Sequence, residues 1–170
     1  HGEDPTENYR RSTEAYEKIL KEAPNDPYAL YNVGMVYSDQ GGYEVNLGKD
    51  PTLSFKKAIN AQQKASKFIP NNTYIINGIG YNHARMADFL VTQGKGPSKE
   101  LSEARKLFAE ASQIDGTYYM PNTNLGYINI INAQWAIKQD KSPIDSFDAS
   151  RKAYLKSIEL NKEEPESYQS

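Results

Sequence analysis

The chain lacks the residues on which several kinds of protein chemistry depend. Of its 170 residues, none is cysteine, two are histidine and one is tryptophan. The absence of cysteine excludes disulfide bonds, thiolate metal ligands and a cysteine nucleophile, but it does not select a cellular compartment. One of the two histidines is the first residue, and a single further imidazole does not make a metal centre. We therefore expect no metal and no cofactor.

The chain also lacks an excess of charge of either sign and any long apolar run. Its net charge is −2, and 25% of its residues are charged. Balanced charge gives no overall electrostatic footprint for nucleic acid or for an anionic membrane surface. No apolar stretch approaches the roughly 20 residues of a membrane-spanning helix. We expect neither a nucleic-acid partner nor insertion into a membrane.

What the chain does have is a repeat, most clearly seen around Leu47–Phe55. Prolines stand at positions 5, 51, 97 and 143, each 46 residues from the next. Four residues after each proline comes a large apolar residue: Tyr9, Phe55, Leu101 and Phe147. Because both the prolines and these apolar residues recur with the same spacing over three periods, the sequence indicates a repeat protein. The sequence predicts one array over 1–170, with units 5–50, 51–96, 97–142 and a partial unit 143–170. Because it starts in mid-repeat, we expect the chain to be a piece of a longer protein.

Apolar residues at helical spacing, together with helix start and stop signals, predict seven helices and no strand. The predicted ranges are 5–23, 27–48, 51–68, 73–93, 97–114, 118–138 and 143–160, with a further start at 164–165. Asp4, Asp26 and Asn72 are the predicted N-caps, and Pro5 is predicted at a first helical position. The pair Gly41-Gly42 is expected to weaken or kink the second helix.

The helix pairs resemble tetratricopeptide repeats. The family's first helix carries a large apolar residue, then glycine, then an aromatic residue three positions on. The matching residues here are Val33-Gly34 with Tyr37, Ile79-Gly80 with His83, and Leu125-Gly126 with Asn129. The second helix carries a small residue, an aromatic four on, a small residue three further, then proline. The corresponding residues are Ser12, Tyr16, Ile19, Pro24; Ala58, Gln62, Ala65, Pro70; Ala104, Phe108, Ala111, Gly116; and Ser150, Tyr154, Ser157, Lys162. The chain departs from the family where Gln62 and Asn129 replace aromatic residues and where Gly116 and Lys162 replace proline.

The resemblance implies an all-α, right-handed α-solenoid of antiparallel helix pairs, in which the glycine lets two paired helices cross closely. The family's usual period is about 34 residues. The 12 extra residues of this 46-residue period lie at the Gly-x-x-Pro turn within each pair. Shared evenly, they lengthen each helix by about 6 residues, or ~9 Å. Long-period arrays with such turns resemble those of bacterial signalling proteins, often beyond a serine/threonine kinase domain.

Charged residues are unevenly divided between two sets of helices. The four ranges that start at a proline, 5–23, 51–69, 97–115 and 143–161, hold 25 of them, and the three glycine-containing helices hold five. Those three helices instead hold nine of the thirteen tyrosines. In the family the glycine helix lines a concave groove and its partner faces outward. The resemblance thus implies a groove rich in Tyr and Asn and a charged convex side.

Carried over from the family, groove positions lie at fixed offsets from each glycine. They are Tyr28, Tyr31, Met35, Ser38, Asp39; Tyr74, Asn77, Tyr81, Ala84, Arg85; and Met120, Thr123, Tyr127, Ile130, Ile131. Tyr31, Asn77, Tyr81 and Arg85 are the principal candidates, since tyrosine offers a large contact area with few rotamers and a polar tip. Arg85 is the only cation in the set, so the sequence predicts no clamp for a C-terminal carboxylate.

Other readings of these residues stay open. The tyrosines can instead fill space between longer helices. One predicted outer helix carries only basic charged residues: Lys56, Lys57, Lys64 and Lys67. These lysines can bind an acidic partner or nucleic acid. Alternatively, they form a solvated face whose charge is offset by Glu14, Glu17, Glu100 and Glu103. The stretch 71–73 matches a glycosylation sequon but is first a turn and helix cap.

We expect the function to depend on the groove surface and not on catalytic side chains. His83 stands at the family's structural aromatic position, and no phosphate-binding loop or Ser/His/acid set can be assembled. We therefore expect no enzyme activity. The favoured hypothesis is a module that binds a peptide or protein segment in the groove. The alternative is a structural spacer or self-assembly array that associates through its exposed ends.

Overall fold

A computed structural model describes residues 4–163, and within these residues the chain forms seven α-helices and no strand. The helices are α1 (Thr6–Glu22), α2 (Pro27–Asn46), α3 (Thr52–Phe68), α4 (Thr73–Thr92), α5 (Ser98–Ile114), α6 (Met120–Lys138) and α7 (Ile144–Glu163). The all-α fold and the seven main helices are confirmed. The helix start predicted at 164–165 lies outside the described residues.

The outer-layer helices begin at equivalent positions of each repeat, because the side chains next to each start determine where the helix begins. Helices α1, α3, α5 and α7 begin at residues 6, 52, 98 and 144, in steps of 46. Asp26 and Asn72 cap α2 and α4 as predicted, accepting the backbone N–H of residues 29 and 75 at 2.7 and 3.0 Å. The prediction that Pro5 takes the first helical position is wrong by one residue. The Asp4 carboxylate accepts the N–H of Thr6 at 2.9 Å, so the helix begins after the proline.

The seven helices form two layers. Helix α4 contacts both α2 and α6 as well as its neighbours in sequence, and we call α2, α4 and α6 the inner helices. The helices α1, α3, α5 and α7 contact only their neighbours in sequence, and we call them the outer helices. Each inner helix packs most extensively on the outer helix that follows it. Neighbour-on-neighbour packing of this kind is the arrangement of an α-solenoid.

Three glycines allow the inner helices to approach the outer ones closely, as predicted. A Cβ on Gly34, Gly80 or Gly126 would lie only 2.7 Å from a side-chain carbon of the following outer helix. Those carbons belong to Gln62, Phe108 and Tyr154, which are themselves 46 residues apart. In each of the pairs α2–α3, α4–α5 and α6–α7, the glycine of the inner helix therefore lies against the large side chain at the equivalent position of the outer helix.

The pair Gly41-Gly42 does not interrupt α2, which is helical from Pro27 to Asn46. Gly41 lies against the fully buried ring of Phe55, where an added Cβ would be 2.7 Å from Cε1. The packing of α3 on this face offsets the low helix propensity of the two glycines. Gly41 is therefore a second position, besides Gly34, where α2 approaches α3 closely, and not a hinge.

Two apolar clusters form the core. One lies between α4, α5 and α6 around Phe108 and Ile128, and the other lies between α2, α3 and α4 around Leu30 and Ile79. Helix α1 has no buried residue, because only α2 packs against it. Among the described residues, no helix combines the length and apolar character that a membrane crossing requires.

Candidate functional site

The inner helices enclose a cavity of about 340 Å³, which we call the inner cavity. Residues from α2, α4 and α6 line it, together with one from α3 and one that precedes α6. They are Tyr31, Met35, Ser38, Asp39, Gln62, Tyr74, Asn77, Gly78, Tyr81, Tyr118, Met120 and Asn124. Four of the twelve are tyrosines and only one is charged, so the wall is largely aromatic and amide.

The aromatic wall is partly open to solvent. Tyr74 is 60% exposed and Met35 is 38% exposed, although both are large and apolar in most of their surface. The rings of Tyr74 and Tyr118 pack at a centroid distance of 4.9 Å. Burial, helped by the neighbouring tyrosines, raises the pKa of Tyr118 to about 12, so its hydroxyl is protonated at neutral pH. The wall therefore offers ring faces and hydroxyl donors together.

Buried amides form the floor of the inner cavity. Gln62 reaches it from α3, is fully buried, and accepts a hydrogen bond from Asn82 at 3.0 Å. On the other side of the cavity, Asn124 of α6 donates to Asn77 of α4 at 2.9 Å. Gln62 stands where the family carries an aromatic residue, so the departure noted in the sequence supplies a polar link between α3 and α4.

A second cavity, of about 300 Å³, continues the first towards α1. The two share Ser38, Asp39 and Tyr81, and the second adds Tyr9, Gly42, Tyr43, Asn46 and Arg85. Arg85 donates to the Tyr81 hydroxyl at 2.9 Å, and its guanidinium lies 5.8 Å from the ring centroids of Tyr81 and Phe55. We call the two cavities together the inner groove.

The structure brings most of the predicted groove residues together. Eight of the fifteen predicted positions line the inner cavity: Tyr31, Met35, Ser38, Asp39, Tyr74, Asn77, Tyr81 and Met120. A ninth, Arg85, lines the second cavity. Ser38, Asp39 and Tyr81 line both cavities.

The remaining predicted residues lie elsewhere. Tyr28 is 69% exposed and lines neither cavity. The Thr123 hydroxyl lies 2.5 Å from that of Ser157 on α7, and Tyr127 packs against the core while its hydroxyl donates to Asp88 at 2.7 Å. Ala84 and Ile131 are fully buried in the core, which removes them from any surface site, and Ile130 lines neither cavity.

Four lining residues of the inner cavity were absent from the predicted set, as were four of the second cavity: Gln62, Gly78, Tyr118 and Asn124, and Tyr9, Gly42, Tyr43 and Asn46. Tyr118 lies in the predicted helix 118–138 but outside the carried-over offsets, and in the structure it precedes α6. Gly78 and Asn124 share a repeat column two residues before the family glycine, a position outside the carried-over offsets. The asparagine content of the inner helices was the one signal in the sequence that pointed to Asn124.

The outer side carries charges of both signs. All four predicted lysines of α3 are exposed, and among the described residues none of them forms an ion pair, so the expected offset by neighbouring acids is not direct. Lys57 instead lies 5.1 Å from the ring centroid of Tyr37.

Cavities of about 380 and 580 Å³ lie between α1 and α3, and the larger holds Arg10, Glu14 and Glu44 among its charged lining. Both are larger than the inner cavity and are lined by charges of both signs, and the smaller is also lined by Leu20, Leu30 and Val33.

His83 lies between α4 and α5 rather than in the inner groove. Its Nδ1 is 2.6 Å from Glu100 Oε2, and both side chains are largely buried. This hydrogen bond holds the pKa of the Glu100 carboxyl below its ordinary value, so the carboxylate accepts and Nδ1 donates. Across residues 4–163, no three His, Asp or Glu side chains are grouped in a way that would hold a metal ion.

Comparison with known proteins adds no assignment to this geometry. No protein-family model matches the chain, and no curated protein does.

Proposed function

We propose that the chain is a protein-interaction module that binds a peptide or protein segment in the inner groove. The observation that carries the proposal is the meeting of three successive inner helices at one aromatic, nearly uncharged cavity. Large residues such as Tyr74 and Met35 remain exposed there, and exposed apolar surface in a concave site is typical of a binding surface. The proposal assigns the chain no catalytic activity.

The mechanism we propose is preorganisation. The Asn124–Asn77 hydrogen bond fixes α6 against α4, and the Asn82–Gln62 hydrogen bond fixes α4 against α3, before a ligand arrives. Binding then costs mainly the ordering of the ligand, since the groove side chains stand on packed helices. Tyrosine is suited to such a site because it has few rotamers to immobilise.

We further propose that the chain is a tetratricopeptide-like array with units 5–50, 51–96, 97–142 and 143–170, used in a bacterial signalling protein linked to a serine/threonine kinase. Support for the array comes from the 46-residue step between helix starts. The contact of Gly34, Gly80 and Gly126 with the following outer helix supports the family resemblance. The signalling role rests on the resemblance of the Gly-x-x-Pro turns alone.

Selection from a displayed peptide library tests the binding function. Peptides selected on the immobilised chain are measured by calorimetry against wild type, Tyr31→Ala and Tyr81→Ala. We expect each substitution to weaken binding by tenfold or more, since about 2 kcal/mol is usual for an aromatic anchor. Phe68→Ala is the matched control, because Phe68 is 48% exposed on the outer helix α3. Unchanged affinity in both tyrosine variants, with helical circular dichroism intact, would overturn the groove assignment.

A self-assembly function is the second candidate, favoured by an apolar stripe on α7. Ile144, Phe147, Leu155 and Ile158 are between 43% and 64% exposed. The positions that match Leu155 and Ile158 in α3 and α5 hold Gln63, Ser66, Ala109 and Ser112. Sedimentation at several concentrations tests this candidate: a mass that rises with concentration and falls to monomer in Leu155→Lys supports it. A strictly monomeric wild type contradicts it.

A further inference from the structure

Among the described residues, two charged side chains line the inner groove, Asp39 and Arg85. In the second cavity, the Arg85 guanidinium donates to Tyr81 and lies over two aromatic rings. The Asp88 carboxylate, close by on α4, accepts the hydroxyl of Tyr127 at 2.7 Å. Neither group needs a partner from outside the chain.

Asp39 differs from both. Among the described residues it is the only charged one that lines the inner cavity, and it lines the second cavity together with Arg85. Its side chain is exposed, and within residues 4–163 its carboxylate forms no ion pair. The point where the two cavities join therefore holds an unpaired, solvent-accessible carboxylate. Partial desolvation raises the pKa of this carboxyl.

The walls beside Asp39 suit a cation too. Tyr31, Tyr74, Tyr81 and Tyr118 surround the inner cavity, with the thioethers of Met35 and Met120. The face of an aromatic ring carries negative electrostatic potential, which attracts an ammonium or guanidinium group. A carboxylate at the edge of several tyrosines is therefore complementary to a positive group on an apolar stem.

We propose that the inner groove receives a lysine or arginine side chain of its partner, with the charged end at Asp39 and the stem along the tyrosine wall. The inference rests on the proposed function, and it narrows the partner to a basic segment. The long apolar stems of lysine and arginine pack on tyrosine while the head meets the carboxylate. An acidic partner segment would instead bring like charge against Asp39.

The three methionines of the chain provide the readout. Met35 and Met120 line the inner cavity, and Met86 packs against the core cluster of α2, α3 and α4. A chain labelled with ¹³C at the methionine methyl groups thus gives two signals from the site and one internal control. The probes are N-acetyl-arginine methylamide and its neutral counterpart N-acetyl-citrulline methylamide, titrated in parallel.

We expect the arginine probe to shift the Met35 and Met120 signals, with Met86 unchanged, at concentrations about tenfold lower than the citrulline probe. Asp39→Asn should remove this difference. Glu103→Gln is the matched control, since it alters net charge equally but lies exposed on the outer helix α5. Equal shifts with both probes, no shift with either, or a preference that survives Asp39→Asn would each overturn the inference.

These outcomes are separable from those of the proposed function. Selected peptides that bind through Tyr31 and Tyr81 without any basic residue would overturn the cation inference and leave the groove function standing. Peptide binding that is insensitive to both tyrosines would overturn the groove function, whatever the small probes show.

Discussion

The side chains of Asn124 and Asn77 are joined by a hydrogen bond of 2.9 Å, in which Asn124 Nδ2 donates to Asn77 Oδ1. Both residues are buried, at 5% and 7% exposure, and the bond crosses from α6 to α4 at the inner cavity. It therefore fixes two of the three helices whose faces form the groove.

Asn124→Ala should lower the free energy of unfolding by about 2 kcal/mol, because it leaves the Asn77 carbonyl buried without its partner. The measurement is urea denaturation followed by circular dichroism. Asn60→Ala, at an exposed position of α3, is the control and should stay within about 0.5 kcal/mol of wild type. Equal stability of the two variants would show that the bond does not hold the inner helices.

Adjacent glycines of α2 should respond oppositely to alanine. A Cβ at Gly41 would lie 2.7 Å from the Phe55 ring, whereas a Cβ at Gly42 meets nothing closer than the Arg85 guanidinium at 3.7 Å. We expect Gly41→Ala to destabilise the chain by about 1–2 kcal/mol through overpacking. Gly42→Ala should stabilise it by about 0.5–1 kcal/mol through helix propensity. Thermal unfolding of the two variants measures both, and a stabilising Gly41→Ala would contradict the close packing of α3 on α2.

The His83–Glu100 contact predicts a pH dependence of stability. Because hydrogen bonding by His83 lowers the pKa of folded Glu100 below 4.5, the carboxylate stabilises the folded chain above that pH. This contribution is lost as the pH falls from 4.5 through the folded pKa. Glu100→Gln should therefore be less stable than wild type by about 2 kcal/mol at pH 7, with the difference shrinking below pH 4.5.

Unfolding free energies between pH 7 and pH 3 check the Glu100 prediction. Glu103→Gln, an exposed acid of the same helix, should differ little from wild type at pH 7. A difference between wild type and Glu100→Gln that does not change with pH would rule out the charge-assisted bond as its source.

The ends of the inner helices give a further test. Gly48 and Gly94 have φ of +68° and +67°, and Asp140 takes the matching place with φ of +53°. Only glycine adopts this region without strain. Asp140→Gly should raise the free energy of unfolding by about 0.5 kcal/mol, and Gly94→Ala should lower it by about 1 kcal/mol. Guanidinium titrations compare the two, and stabilisation by Gly94→Ala would be the contrary result.

The parts of the fold that local chemistry decides could be predicted from the sequence. Asp26 and Asn72 could be predicted as caps because the side chain of each accepts a hydrogen bond from a backbone N–H only three residues later in the sequence. The position of Pro5 was wrong by one residue, since the competing Asp4–Thr6 bond starts the helix later. The pair Gly41-Gly42, expected to weaken or kink α2, does not interrupt it, because packing on Phe55 outweighs intrinsic propensity.

The candidate site was predictable on α2 and α4 and less so on α6. Thr123 and Tyr127 contact Ser157 and Asp88, which lie 34 and 39 residues away in sequence. Such partners are not visible in a helical periodicity, so the offsets carried over from the family place these side chains towards the groove. Tyr118 was missed because it lies further from Gly126 than any of those offsets.

Photo-crosslinking is the most direct test of the central claim that the partner lies in the inner groove. Benzoylphenylalanine replaces Tyr74, which is exposed at the inner cavity, or Phe68, which is exposed on the outer helix α3. A library-selected peptide is then irradiated with each variant. We expect a covalent adduct at position 74 and none at position 68. Crosslinking at 68 with none at 74 would contradict it and place the binding surface on the outer helices.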